Sequence, residues 1–292
     1  MKIAVIALAL MAGCSETVNK PEVAQVTSVA KDKARYLCVG MEYSARFGAC
    51  PGCEKDARYL NGLMFSSYGY KGDMLLSTQA TKAAVVSKLK EGIEATPEDG
   101  LFLFFYSGHG GQERIGGSEP SGADADDEYL CLYDTYMLDD EIWEIVSRCR
   151  GRVFLYFDAC HSATMYRSVS SDAKIAEASA RGTAIPLEAV DMKRTCGFTF
   201  SPKALSVAKA AGVDQNGSVR VLCWSGCREA EYSFGSNNGG ELTLSLRSCW
   251  VRKASYSSLW EKIAKRVTSY QSKQHPVATS VGIQFDGEEA FK

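Results

Sequence analysis

Two short segments hold the residue types that activated-thiol chemistry needs. One is Gly108-His109-Gly110-Gly111, directly after an apolar run at 101–107. The other is Asp158-Ala159-Cys160-His161-Ser162, directly after an apolar run at 153–157. A thiol is mostly protonated at neutral pH and its thiolate is the nucleophile. A catalytic cysteine therefore needs an imidazole within reach, to take up a proton and return it to a leaving amine. His109 and Cys160 lie 51 residues apart. If the two runs are adjacent parallel strands, about 4.8 Å apart, the pair can face each other across one strand spacing. A loop and one helix fit the interval, as a crossover between parallel strands requires. His161 is the rival base, but as the immediate neighbour of Cys160 its side chain should point away, which favours His109. The glycines beside His109 let backbone approach a substrate, and the amides of Gly110 and Cys160 are positioned to stabilise an oxyanion.

The elements that must position this pair can be read from the hydrophobic pattern. Four short apolar runs, at 36–40, 101–107, 153–158 and 219–225, read as buried parallel strands. Residues 81–93 place Ala84, Val85, Leu89 and Ile93 on one helical face, and residues 139–149 do the same with Ile142, Ile145 and Val146. Asp139, Asp140 and Glu141 open the second helix, where negative charge suits the positive end of the dipole. A third helix over 256–270 carries core positions at Leu259, Ile263 and Val267. Alternating strands and helices imply an α/β fold, with a mostly parallel sheet covered by helices on both faces. In such sheets reactive groups gather at the carboxyl ends of the strands. Residues 108–127, rich in Gly and Asp, read as an active-site loop. Residues 168–218 read as a linker between two parts of one domain, 34–167 and 219–292.

Composition narrows the function class. The 292-residue chain is 46% hydrophobic and 23% charged, with a formal net charge of -2. It therefore lacks the basic field that nucleic-acid binding uses, and nucleic acid is not expected as a partner. Lys2 and the apolar or small run 3–13, ending in Met11-Ala12-Gly13-Cys14, form a leader too short to span a bilayer. This end of the leader resembles the lipobox of bacterial lipoproteins, so residues 1–20 are expected to direct export or a lipid anchor on Cys14, with 21–33 as linker. A cytoplasmic protein with a buried first element is the alternative. Mass spectrometry of the mature protein should find Cys14 as its first residue, and an intact Met1 would exclude the anchor.

The eleven cysteines do not have the spacing of a disulfide framework. Cys38, Cys131 and Cys223 sit inside apolar runs and are expected to be core residues. Cys50-Pro51-Gly52-Cys53 has the spacing of a redox pair or half a zinc site, but no second such motif exists.

Strand alternation puts Asp158 on the side of Cys160, and Ser107 on the side of His109. A carboxylate ending an apolar strand must be partnered, either by a substrate cation or by capping a helix. Taken together, Phe104-Phe105-Tyr106-Ser107-Gly108-His109-Gly110 and Phe157-Asp158-Ala159-Cys160-His161-Ser162 resemble the metacaspases, within the caspase-like cysteine peptidases. Pro51-Gly52-Cys53-Glu54-Lys55-Asp56-Ala57, Leu138-Asp139-Asp140-Glu141 and Ser225-Gly226-Cys227 add to the resemblance, which runs from about residue 34 to 284. The His-to-Cys interval matches the caspase spacing of about 50 residues.

The resemblance implies a three-layer αβα sandwich and a cysteine endopeptidase with Cys160 as nucleophile and His109 as acid/base. It also implies a primary pocket of Asp56, Ser107 and Asp158 that takes substrate Arg or Lys. No cofactor is required by that chemistry. Calcium activation would use positions matching Asp124, Asp139 and Asp140, but Arg167 replaces the fourth carboxylate, and a cation opposes a hard dication. Two further departures are Ala163 in place of the family's glycine and Arg228-Glu229-Ala230-Glu231 in the cleft wall. The alternative function is a caspase-like domain kept as a regulatory or binding module.

Overall fold

The computed structural model describes residues 30–114, 126–161, 219–228, 231–282 and 287–292; for 112–114, 126–127 and 160–161 it describes the backbone. In chain order the strands and helices are β1 (Ala34–Gly40), β2 (Tyr43–Ser44), β3 (Gly48–Ala49), α1 (Cys53–Gly62), β4 (Lys71–Leu76), α2 (Lys82–Glu94), β5 (Leu101–Arg114), β6 (Asp126–Cys131), β7 (Tyr136–Leu138), α3 (Asp139–Val146) and β8 (Arg152–His161). After residues 162–218 come β9 (Arg220–Ser225), β10 (Gly235–Ser236), β11 (Gly239–Gly240), α4 (Glu241–Cys249), α5 (Tyr256–Tyr270) and β12 (Val277–Val281).

The main sheet runs β12-β9-β8-β5-β1-β4. Every pair in it is parallel except β12 with β9. All four strands expected from the apolar runs are present. The residues at 101–105 are fully buried, because a central parallel strand is covered on both faces. One face packs Phe102, Phe104, Val153 and Leu155 against Val85 and Leu89 of α2 and Ile142 of α3. The other packs Phe105, Phe154, Tyr156 and Trp224 against Leu60 of α1, Leu246 of α4 and Leu259 and Ile263 of α5. Each such buried side chain stabilises by roughly 1.5–3 kcal/mol, so these two apolar layers fasten the helices to the two faces of the sheet. This is the three-layer arrangement anticipated from sequence.

Local signals explain the helices. The Thr81 hydroxyl accepts from Ala84 N–H at 3.3 Å and starts α2, and the Ser255 hydroxyl accepts from Ser258 N–H at 3.2 Å and starts α5. In α3 the Glu141 carboxylate reaches back to accept from Leu138 N–H at 2.9 Å. That helix ends at Val146, three residues short of the expected Cys149. Cys38, Cys131 and Cys223 are buried core residues as anticipated, and burial raises all three thiols, Cys223 to about 12. Among the described residues no helix is long and apolar enough to cross a membrane.

One expectation needs correction. Residues 108–127 are not simply a loop: β5 continues to Arg114 and pairs antiparallel with β6, Gly110 opposite Leu130 and Gly111 opposite Tyr129. Glycine leaves no side chain from which a period of two can be read, so a strand made of such residues is silent in the hydrophobic pattern.

Candidate active site

His109 and Cys160 occupy opposite positions in the parallel ladder of β5 and β8. The register runs Ser107↔Asp158, Gly108↔Ala159, His109↔Cys160, Gly110↔His161. Both strands continue through the reactive residues, beyond the apolar runs after which the sequence places them.

His109 is held from two sides. Its backbone carbonyl accepts from the Tyr106 hydroxyl at 2.6 Å, and the same hydroxyl lies 2.7 Å from the Cys131 carbonyl. Its ring Nε2 lies 3.0 Å from the Ala49 carbonyl of β3. A carbonyl has no proton to give, so Nε2 carries the hydrogen and the neutral ring keeps its lone pair on Nδ1. Nδ1 has no hydrogen-bond partner among the described residues. Burial pushes the His109 pKa down, against a smaller upward pull from the Ala49 carbonyl. The ring is thus biased to the neutral form that accepts a proton.

On the same face, Asp56 of α1 and Asp158 of β8 form an acidic floor. The Ser107 hydroxyl and the Gly240 N–H donate to one oxygen of Asp56 at 2.7 and 2.8 Å. Asp158 accepts from the Ser233 hydroxyl at 3.2 Å and from Thr243 N–H at 2.8 Å. Thr243 is the third residue of α4, whose cap Gly240 has no side chain, so Asp158 does cap a helix, but across space rather than in its own strand-helix unit. Cβ atoms added at Gly239 and Gly240 would come within 2.1 and 2.3 Å of the two carboxylates, so only glycine lets this hairpin close over them.

Both carboxyls are nearly inaccessible, at 2% and 1% exposure. Burial raises Asp56 well above the usual range, with Asp158 adding repulsion; burial likewise raises Asp158, to about 6. Neither forms an ion pair among the described residues. Holding carboxylates in this state costs several kcal/mol unless a cation joins them.

Gln274 was not singled out from sequence, yet it underlies this floor. Fully buried, it donates to the Gly226 carbonyl at 2.8 Å and the Ser233 hydroxyl at 3.1 Å, and accepts from Phe234 N–H at 2.9 Å. It thereby fixes the serine that holds Asp158. The altered wall segment has a structural partner: Glu231 accepts from His275, through the backbone N–H at 2.8 Å and with ring Nδ1 at 2.7 Å.

Asp139 and Asp140 do not join this site. They start α3, on the opposite face of the sheet, and Asp124, Arg167 and Ala163 lie outside the described residues. Among the described residues no group of three or more His, Cys, Asp or Glu is placed to hold a metal ion.

A mostly parallel sheet between two helical layers, with a His and a Cys in register on adjacent central strands, is a caspase-like αβα architecture. Solved structures agree on the fold. Protein GSU0716 from Geobacter sulfurreducens superposes with a TM-score of 0.64 at 23% identity, covering 89% of this chain and 98% of that one. Caspase-1 from Spodoptera frugiperda gives 0.54 at 12%, covering 88% and 89%. In sequence, the chain is 25% identical to Metacaspase-1 of Ajellomyces capsulatus, over 85% of this chain and 82% of that protein. It is 25% identical to Metacaspase-1A of Aspergillus fumigatus, over 85% and 70%. The caspase-domain model matches residues 35–286, and the chain belongs to that family of cysteine peptidases. Its substrates are accordingly proteins or peptides.

Proposed function

We propose that the protein is an endopeptidase that cleaves after Arg or Lys through a dyad of Cys160 and His109. The in-register placement of the two residues, with His109 Nδ1 left open, carries the reading. Nδ1 takes the Cys160 proton, and the thiolate attacks the scissile carbonyl carbon. The oxyanion forms beside the amides of Gly110 and Cys160. His109 then returns the proton to the leaving amine, which departs and leaves a thioester. Water, activated by the neutral imidazole, hydrolyses it and frees the thiol.

Specificity rests on Asp56, Ser107 and Asp158. Two buried carboxylates without a cation are stabilised by a guanidinium or ammonium entering beside them, whereas a substrate aspartate would add a third negative charge. The dyad needs no metal. Asp139 and Asp140 serve as the negatively charged start of α3, away from the acidic floor. Membrane contact is confined to a lipid on Cys14 of the leader.

Fluorogenic peptides differing only in the residue before the scissile bond test the specificity. Arg and Lys peptides are expected to be cut at least about 10²-fold faster than Asp peptides, the effect of opposing rather than pairing buried charge, with no change on adding a calcium chelator. Faster cleavage of Asp peptides overturns the specificity, and loss of activity with chelator overturns the metal-free reading.

A further inference from the structure

We propose that Cys50 and Cys53 form a dithiol/disulfide site that controls how His109 is held, a role that rests on the dyad reading above. Their sulfurs lie 3.0 Å apart with no disulfide drawn between them, Cys53 donating toward Cys50. The turn between them is built for this approach. Gly52 has φ +93°, and any side chain there would strike Ser236 and Gly239. Cys53 N–H faces the Cys50 carbonyl at 3.4 Å.

The pair joins the two halves of the site. Cys50 directly follows Ala49, whose carbonyl accepts a hydrogen bond from His109 Nε2–H, and Cys53 opens α1, which carries Asp56 one turn later. At 3.0 Å the two sulfurs are close enough for chemistry between them, and among the described residues no group of three or more His, Cys, Asp or Glu is placed to hold a metal ion. Cys50 sits between exposed Ala49 and half-buried Pro51, in a hairpin of two-residue strands, and such segments open at low cost. A small oxidant such as hydrogen peroxide reaches it there.

One sulfur attacks a peroxide oxygen. The O–O bond breaks, a sulfenic acid forms and one water leaves. The second sulfur then attacks the first, the S–O bond breaks and a second water leaves. The two sulfurs together give up two electrons and peroxide is reduced to two waters. Closing to a disulfide at about 2.05 Å draws the sulfurs nearly 1 Å together. Cys53 is anchored by the first turn of α1, where Lys55 and Asp56 N–H groups bond to the Gly52 carbonyl. Cys50 therefore makes the larger movement and takes the Ala49 carbonyl with it.

The test treats wild type, Cys50→Ser and Cys160→Ala with graded hydrogen peroxide, followed by alkylation, peptide mass mapping and peptidase assay. The peptide bearing Cys50 and Cys53 is expected to lose the mass of two hydrogens in wild type and in Cys160→Ala. Wild-type kcat/KM should fall about tenfold or more beyond the fall in Cys50→Ser, and dithiothreitol should restore it. Oxidation of Cys160 lowers both proteins alike and leaves that ratio unchanged. If both thiols stay alkylatable in Cys160→Ala, the redox site is wrong whatever the fate of the dyad. If the disulfide forms but wild type and Cys50→Ser lose activity equally, its control of His109 is wrong. Persistent activity in Cys160→Ala would overturn the dyad alone.

Discussion

Cys160→Ala should reduce kcat/KM by at least about 10⁴-fold, because no other group replaces the nucleophile and only binding and oxyanion stabilisation remain. His109→Ala should cost about 10²–10⁴-fold, the worth of a positioned acid/base. The double variant should be no slower than the slower single one, since the two groups act as a unit. Folding is separable from chemistry here. Among the described residues His109 makes one side-chain hydrogen bond, to the Ala49 carbonyl, and leaving that carbonyl without its donor costs about 1–3 kcal/mol. Thermal melts of each variant check this beside the peptide assay. A Cys160→Ala protein within a few-fold of wild type would sink the dyad. A redox or zinc role of Cys50 as the main activity predicts the reverse pattern, loss in Cys50→Ala with Cys160→Ala active. A regulatory module predicts no cleavage by wild type at all.

Asp158→Asn should weaken cleavage of Arg and Lys peptides by about 10²–10³-fold, the cost of removing one partner of a buried charge pair. It should also make the free protein more stable at neutral pH. The folded-state pKa of Asp158, about 6, lies above its unfolded value, so the folded protein holds this proton more tightly. The stability that proton binding contributes is complete below about pH 4 and is lost as pH rises through 6. At pH 7 wild type therefore carries a buried carboxylate at a cost that asparagine avoids. Asparagine can still accept from Thr243 N–H and donate to Ser233, so the helix cap survives. A gain on the order of 1–2 kcal/mol, a few degrees in Tm, is expected, with little change at pH 4. Activity runs the opposite way. Wild-type kcat/KM on basic peptides should rise through pH 6 as Asp158 ionises, and the variant should lose that rise. If Asp158 served only to cap α4, the variant would be less stable and its specificity unchanged. Denaturant melts at pH 4 and pH 7, beside pH–rate profiles, decide between these outcomes.

What the chain made legible was whatever leaves a trace in side-chain type. The apolar runs marked four strands of the sheet, and the reactive residues after two of them marked where to look. Thr81 and the acidic start of α3 marked helix ends. Three things left no such trace. The extension of β5 through Gly110 and Gly111 has no apolar alternation to show it. The β4 edge strand, Lys71–Leu76, is half exposed and opens on Lys, Gly and Asp, all poor strand formers. The backbone partners of the site, the Ala49 carbonyl and the Gly240 and Thr243 amides, belong to positions whose side chains carry no hint of the role. Gln274 falls between. A lone glutamine before His275-Pro276 gives no signal in sequence, and only its complete burial, with both ends of its amide bonded, marks it as part of the site's support.

The segment at 287–292 returns to the middle of the sheet's helical face. Phe291 is fully buried and packs on Phe105, Phe154, Trp224 and Tyr256. Tyr68 and Tyr70 hydroxyls donate to the Ala290 and Phe291 carbonyls at 3.1 and 2.6 Å, and Arg152 pairs with Glu288 in the interior. This gives the protein a clock. At roughly 5–20 residues per second, about 7–27 s separate the translation of Phe154 from that of Phe291. Throughout that interval the nascent chain lacks the ring that closes its aromatic layer, so β5 and β8 are made early but their packing is finished late.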